Sequence, residues 1–137
     1  MKKYALDTNM ISYALKRQRG AKEKLLQTMR NHYSLAIPSV AYFEVRCWLI
    51  ESGATVKARE FDQLCNAFPV TDMTKNDWEK AAQIRVYLRS KGLTIGDADI
   101  LIAAFCIIHD YVLVTNDDHF SRIPELKCEN WASEGEQ

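Results

Sequence analysis

The segment Gly96-Asp97-Ala98-Asp99 precedes nine consecutive apolar residues, Ile100 to Ile108, and the chain continues into Tyr111-Val112-Leu113-Val114-Thr115-Asn116-Asp117. The apolar run is too short to cross a bilayer, which takes about 20 residues. We therefore interpret 97–109 as a helix that is apolar on all sides and buried. The stretch 111–115 is short, rich in branched residues and followed by turn residues, which indicates a buried strand. A buried helix that leads into a buried strand is typical of an α/β fold.

The rest of the chain alternates in the same way. Strands are predicted at Lys3–Leu6, Ser34–Ile37 and, more briefly, Leu126–Cys128. Further helices are predicted at 39–52, at 56–67 and from a capping box at Thr74-Lys75-Asn76-Asp77 to Gly92. This alternation predicts a three-layer α/β/α sandwich with a mainly parallel central sheet. We expect one domain over residues 1–132 and a loose tail over 133–137.

Four carboxylates stand where strands end or inside the helices that follow. Asp7 follows the apolar run Tyr4-Ala5-Leu6, and Asp117 follows the strand at 111–115. Asp99 opens the apolar helix, and Glu44 lies in the helix 39–52 among apolar neighbours. In an open α/β sheet, the carboxyl ends of strands and the starts of the following helices meet along one edge. The sequence therefore predicts that these four acids converge.

A convergent cluster of acids requires a counter-charge. Two carboxylates about 4 Å apart repel by roughly 4 kcal/mol at an effective dielectric of about 20. Several such pairs would approach the ~5–15 kcal/mol that holds a domain folded. Without a cation, some of the acids would have to take up protons. Oxygen ligands without Cys or His favour Mg²⁺ or Mn²⁺, so we expect one of these ions.

Polar neighbours leave some assignments open. Thr8 or Asn9 could cap the helix that follows the first strand, which would leave Asp7 free for the metal. Asp97 directly follows Gly96 and is the better candidate for capping the apolar helix. It could also act as an additional acid at the metal. Asp117 alone would be an ordinary turn residue.

The charges are balanced overall but segregated along the chain. The 137 residues contain 18 Lys and Arg against 18 Asp and Glu. Residues 16–30 hold six basic residues against one acid, 75–91 hold five against two, and 117–137 hold two against six. Basic segments around an acidic centre suit a polyanion that is gripped at its backbone.

The chain starts directly with a strand pattern and lacks a signal-peptide core, so we expect a cytoplasmic protein. The four cysteines form no C-x-x-C, and we expect them to be reduced and buried, with Cys47 and Cys106 in apolar helical patterns.

The order of these motifs resembles the PIN-domain ribonucleases over essentially the whole chain. The resemblance rests on Leu6-Asp7-Thr8-Asn9, on the helix with Glu44, on Asp99-Ile100-Leu101-Ile102-Ala103-Ala104, and on Val114-Thr115-Asn116-Asp117 followed by Phe120 and Trp131. Within that family, the chain is most similar to VapC-type toxins of type II toxin–antitoxin pairs. The resemblance implies a Mg²⁺- or Mn²⁺-dependent endoribonuclease, with tRNA as one candidate substrate. It also implies a cognate antitoxin and a homodimer. Because the longest apolar run is too short to cross a bilayer, we expect no membrane association.

The resemblance implies specific roles at the site. Asp7 and Asp99 would bind the metal directly, and Asp117 directly or through water. Glu44 would bind the metal or orient the attacking water. Thr8, Asn9 and Asn116 would support the site, and Asp97 or Asp118 could replace a neighbour as a ligand.

Two alternatives come from other classes of protein. A non-catalytic RNA-binding module would explain the basic segments, but four uncompensated acids would repel the phosphates that it binds. A metal-dependent phosphatase of the haloacid dehalogenase type needs a second Asp two residues after the first. This chain has Asn9 at that position.

Overall fold

Five parallel strands and six α-helices alternate along residues 2–131, the part of the chain that the computed structural model describes. The strands are β1 (Lys3–Leu6), β2 (Ser34–Pro38), β3 (Val70–Thr71), β4 (Val112–Val114) and β5 (Cys128–Glu129). The helices are α1 (Thr8–Leu15), α2 (Ala21–Arg30), α3 (Ser39–Ser52), α4 (Thr55–Ala67), α5 (Lys75–Ser90) and α6 (Asp97–His109), and a 3₁₀ helix covers Asp118–Arg122. The predicted α/β sandwich with a parallel sheet is confirmed. The predicted tail at 133–137 lies outside the described residues.

The sheet has the strand order β3-β2-β1-β4-β5 and places β1 at its centre. Ala5 in β1 pairs with Ala36 in β2 and with Leu113 in β4, and all three residues have no exposed surface. Burial on both faces explains why these strands are continuous apolar runs. After β3 the chain crosses to the other side of β1 before it forms β4. The carboxyl ends of β1 and β4 therefore flank the switch point at which open α/β sheets bind ligands.

Helix α6 supplies much of the core, as its uniformly apolar sequence predicts. Ile100, Ile102 and the four residues 103–106 are all buried. Helix α5 packs against it along an extended contact. Among residues 2–131, no helix has both the length and the apolar character needed to span a membrane.

Two details of the sequence prediction are wrong. The last strand is Cys128–Glu129 rather than Leu126–Cys128, because Leu113 in β4 pairs with Cys128. Cys47 is exposed. Helix α3 buries Ala41, Val45 and Leu49, which follow one another every four residues on one face, and Cys47 projects from the opposite side. Cys128 is also exposed, and all four cysteines are free thiols.

A buried carboxylate joins the start of α5 to the end of α6. The predicted capping box is present: the Asp77 N–H donates to Thr74 Oγ1 at 3.3 Å, and Asp77 Oδ2 accepts from the Thr74 N–H at 2.9 Å. His109 Nε2 lies 3.0 Å from the same Oδ2. Asp77 has no exposed surface, so His109 compensates a carboxylate that would be costly to bury alone.

Replacing His109 should therefore destabilise the protein. His109→Ala leaves Asp77 buried without this partner, and we expect the free energy of unfolding to fall by about 1–3 kcal/mol. Urea denaturation measures the change. His32→Asn is the control, because His32 is exposed and its left-handed backbone suits Asn. The control should change stability by less than about 0.5 kcal/mol, and equal losses in both variants would contradict this role of His109.

Candidate active site

Asp7 lies at the end of β1 and at the same time starts α1. Its N–H donates to the Val114 carbonyl at 3.1 Å, which continues the pairing between β1 and β4. Its Oδ1 accepts from the Met10 N–H at 2.8 Å, so Asp7 itself is the N-cap of α1. The expectation that Thr8 or Asn9 would cap this helix is wrong. The β1–β4 pairing holds Asp7 in the extended conformation that an N-cap adopts, and only 3% of the residue is exposed.

Glu44 reaches the same region from α3. Thr8 Oγ1 donates to Glu44 Oε1 at 2.5 Å, so the first turn of α1 is tied to the second turn of α3. A hydroxyl-to-carboxylate bond of this length is a strong, charge-assisted one. Glu44 is half-buried, and this hydrogen bond fixes one of its oxygens. Thr8 therefore holds one carboxylate oxygen of Glu44 in place, although it does not cap the helix.

An imidazole stands between the two remaining acids. His119 Nδ1 lies 2.8 Å from Asp117 Oδ1, and His119 Nε2 lies 3.0 Å from Asp99 Oδ2. The Nε2 contact does not have the geometry of a hydrogen bond. No role was predicted for His119 from the sequence. Its position in the turn two residues after Asp117 was the available signal.

The structure brings the four predicted acids to one small cleft. The cleft has a volume of about 190 Å³ and is lined by Asp7, Thr8, Asn9, Glu44, Asp99, Asp117 and Phe120. It lies at the carboxyl ends of β1 and β4, at the switch point of the sheet. Larger grooves lie elsewhere on the molecule, but their linings are mainly apolar.

The remaining candidates lie outside this cleft. Asp97 does not cap α6: Gly96 holds the N-cap position, and the Asp97 carboxylate pairs with Arg85 of α5. Asp118 is exposed at the start of the 3₁₀ helix. Asn116 donates to the Tyr13 hydroxyl at 3.2 Å and so fixes the turn that carries Asp117.

Burial and like charges raise the pKa values of two acids. Burial raises the pKa of Asp7 from 3.8 to about 6, and the charges of Asp99 and Asp117 add to the rise. Hydrogen bonds from Thr115 and from the Met10 N–H oppose it. Burial also raises the pKa of Asp99, against the lowering effect of His119. The cleft is therefore a place where additional negative charge is costly and a cation would be stabilised.

The types of donor fit a divalent ion, but the side chains would have to rearrange to hold one. Asp7, Glu44, Asp99 and Asp117 offer carboxylate oxygens, which Mg²⁺ and Mn²⁺ prefer. Within residues 2–131, no three His, Cys, Asp or Glu side chains already stand in an arrangement that could hold an ion. His119 lies between two of the acids. An ion shared by Asp99 and Asp117 would require this imidazole to move aside.

The raised pKa of Asp7 predicts that Asp7→Asn increases the free energy of unfolding of the metal-free protein. The increase should depend on pH. A raised pKa means that ionised Asp7 costs stability, a cost that grows as the pH rises from 3.8 and is complete above about 6. Asn is never ionised and keeps the oxygen that accepts from Met10. With about 1.4 kcal/mol per pKa unit, Asp7→Asn should stabilise the protein by about 3 kcal/mol at pH 8 and by far less at pH 4.

Urea denaturation in EDTA at the two pH values measures this gain. Asp118→Asn is the matched control, since Asp118 is exposed in the neighbouring turn, and it should change stability by less than about 0.5 kcal/mol. If Asp7→Asn stabilised the protein equally at pH 4 and pH 8, the gain could not come from the cost of ionised Asp7.

The sequence of this chain is similar to a known protein family and to individual known proteins. Residues 4–126 match the family model described as the PIN domain. A protein named Ribonuclease VapC2 from Rickettsia felis is 30% identical over 130 residues, which are 93% of this chain and 97% of that protein. A protein of the same name from Haemophilus influenzae is 27% identical over 133 residues, which are 96% of this chain and 99% of that protein.

Two solved structures share the fold. The structure of VapBC2 from Rickettsia felis, bound to a DNA fragment from its promoter, has a TM-score of 0.84 at 30% identity and covers 93% of this chain and 98% of its own. The structure of DNA-bound VapBC from Salmonella typhimurium has a TM-score of 0.85 at 26% identity. The match covers 96% of this chain and 100% of that chain. These matches confirm the likeness that the sequence motifs predicted. Because the family model spans nearly all of the described residues, this chain belongs to the PIN-domain family.

Proposed function

We propose that this protein is a Mg²⁺- or Mn²⁺-dependent endoribonuclease and the toxin of a type II toxin–antitoxin pair. The observation that carries the proposal is the cleft at the sheet's switch point, into which four separate parts of the chain bring Asp7, Glu44, Asp99 and Asp117. The raised pKa values of Asp7 and Asp99 reflect burial and mutual repulsion, which a divalent cation would relieve.

Each acid has a distinct role in this proposal. Asp7 and Asp99 would hold the ion directly, and Asp117 directly or through water, once His119 has moved aside. When bound, the ion would lower the pKa of water and offset the charge that develops on the phosphate. Glu44 would orient the attacking water through the oxygen that Thr8 does not hold, or contact the ion. Thr8, Asn116 and the capping bond of Asp7 keep these side chains in place.

RNA is the substrate that the charge pattern favours. Segment 16–30 carries six basic residues against one acid, and of these only Arg17 forms an ion pair within the described chain. Segment 75–91 is partly neutralised, since Lys80 pairs with Glu125 and Arg85 with Asp97. We therefore assign the main contacts with the RNA backbone to the basic residues of 16–30 other than Arg17, whose charge Glu60 already compensates. The relatives named ribonuclease support this substrate class, with tRNA as one candidate, and such a substrate would place the protein in the cytoplasm.

The structural relatives are toxin–antitoxin complexes, which supports an antitoxin as the partner. An acidic cleft is complementary to an arginine, whose guanidinium can bind a carboxylate through two parallel hydrogen bonds. We infer that the antitoxin inhibits by placing such a residue over Asp7 and Asp99.

A second copy of this chain is the other proposed partner. The aromatic side chains of Phe43 and Trp78 are 65% and 54% exposed, and both line a groove that also contains Glu44. Exposed apolar surface of this kind is what a homodimer would cover. A dimer formed there would place the two acidic clefts near each other.

Cleavage assays on RNA test the proposed chemistry. Purified protein should cut RNA in Mg²⁺, EDTA should abolish cleavage, and Mn²⁺ should restore it. Attack by water expels the 3′ oxygen, so the products should carry 5′-phosphate and 3′-hydroxyl ends. Asp99→Ala should lower the rate at least about 10²-fold, because it removes a ligand of the ion that stabilises transition-state charge.

Asp97→Ala is the matched control, because it removes an acid two residues earlier on α6 that lies outside the cleft. It should cleave within about twofold of wild type, as expected for an exposed ion pair. Cleavage that survives EDTA and leaves 2′,3′-cyclic phosphates would refute the mechanism. RNA binding without any cleavage would favour the non-catalytic module.

A further inference from the structure

Two arginines in the α1–α2 connection have the same backbone conformation but different surroundings. Arg17 and Arg19 both adopt the left-handed region, with φ of 55° and 58°. Arg17 Nη1 donates to both oxygens of Glu60, at 3.2 and 3.3 Å, so its charge is compensated. The guanidinium of Arg19 instead lies over the Tyr13 ring, with its Cζ 5.3 Å from the ring centroid.

Arg19 has donors that the described residues do not satisfy. Its Nε is buried and has no hydrogen-bond partner, and within residues 2–131 its guanidinium forms no ion pair. Buried donors are normally paired with protein, water or a bound ligand. The cation–π contact with Tyr13 restrains the guanidinium beside the ring, and arginine can give paired hydrogen bonds to phosphate.

The same tyrosine connects Arg19 to the acidic cleft. The Tyr13 hydroxyl accepts from Asn116 Nδ2 at 3.2 Å, and Asn116 directly precedes Asp117. The Arg19 guanidinium therefore lies one aromatic ring away from the turn that lines the cleft. A cleft lined by four acids repels a polyanion, so a nearby cation without an acidic partner would be needed to hold the substrate.

We propose that Arg19, held over the Tyr13 ring, binds the phosphate of an RNA nucleotide that flanks the one in the acidic cleft. This inference rests on the proposed ribonuclease function and assigns it a substrate-binding residue. Tyr13 is a positioning residue in this arrangement, since it acts through Arg19 and through Asn116.

Binding of a short fluorescein-labelled single-stranded RNA to the full chain in EDTA tests the inference without any cleavage. Fluorescence anisotropy at several salt concentrations gives Kd and its salt dependence. Arg19→Gln should raise Kd about 10-fold and reduce the slope of log K against log salt by about 0.7, the value for one phosphate contact on a single strand. Arg19→Lys keeps the charge but lacks the planar guanidinium. It should raise Kd by less than Arg19→Gln does.

Arg17→Gln is the matched control, since it removes the same charge from the same loop and backbone region but from an arginine that Glu60 already pairs. It should change Kd by less than twofold. An unchanged Kd for Arg19→Gln, or equal losses at both positions, would overturn the inference and leave the proposed ribonuclease intact. Wild-type protein that neither binds nor cuts RNA would overturn both.

Discussion

The hydrogen bond from the Asp7 N–H to the Val114 carbonyl joins the ends of β1 and β4, and the acidic cleft depends on this pairing. It sets Asp7 beside the turn that carries Thr115, Asn116 and Asp117, although these parts of the chain are more than a hundred residues apart. The same pairing fixes the extended backbone of Asp7, which lets its side chain cap α1. One strand register therefore determines where the first helix starts and which acids meet.

The carboxylates of the cleft repel one another, and other interactions in the fold must offset this unfavourable energy. Asp7 is almost fully buried, and burial together with two neighbouring acids raises its pKa to about 6. The Thr115 and Met10 hydrogen bonds lower this cost for Asp7, and His119 lowers it for Asp99. In the proposed function, this repulsion is the source of affinity for a divalent ion, because binding the ion removes the repulsion.

The sequence predicted the convergence of the acids but not the details of each side chain. Strand ends and apolar runs can be recognised locally, so Asp7, Glu44, Asp99 and Asp117 could be assigned to one edge of a parallel sheet. The choice of Asp7 over Thr8 or Asn9 as the helix cap depends on the β1–β4 register, which three adjacent polar residues do not reveal. Asp97 turns away from the cleft because Arg85, twelve residues earlier on another helix, lies within reach of it. The role of His119 depends on how the turn after β4 folds back over α6, which no local pattern encodes.

The central claim is that the acidic cleft binds a divalent cation, and thermal unfolding with and without Mn²⁺ tests it most directly. At a concentration of about 100 times Kd, the ion should stabilise wild-type protein by about 2.7 kcal/mol and raise its Tm by several degrees relative to EDTA. Asp7→Asn should show a clearly smaller shift, whatever its own Tm in EDTA, because it lacks one of the proposed ligands. Equal shifts in the two proteins, or no shift in wild type, would contradict the account.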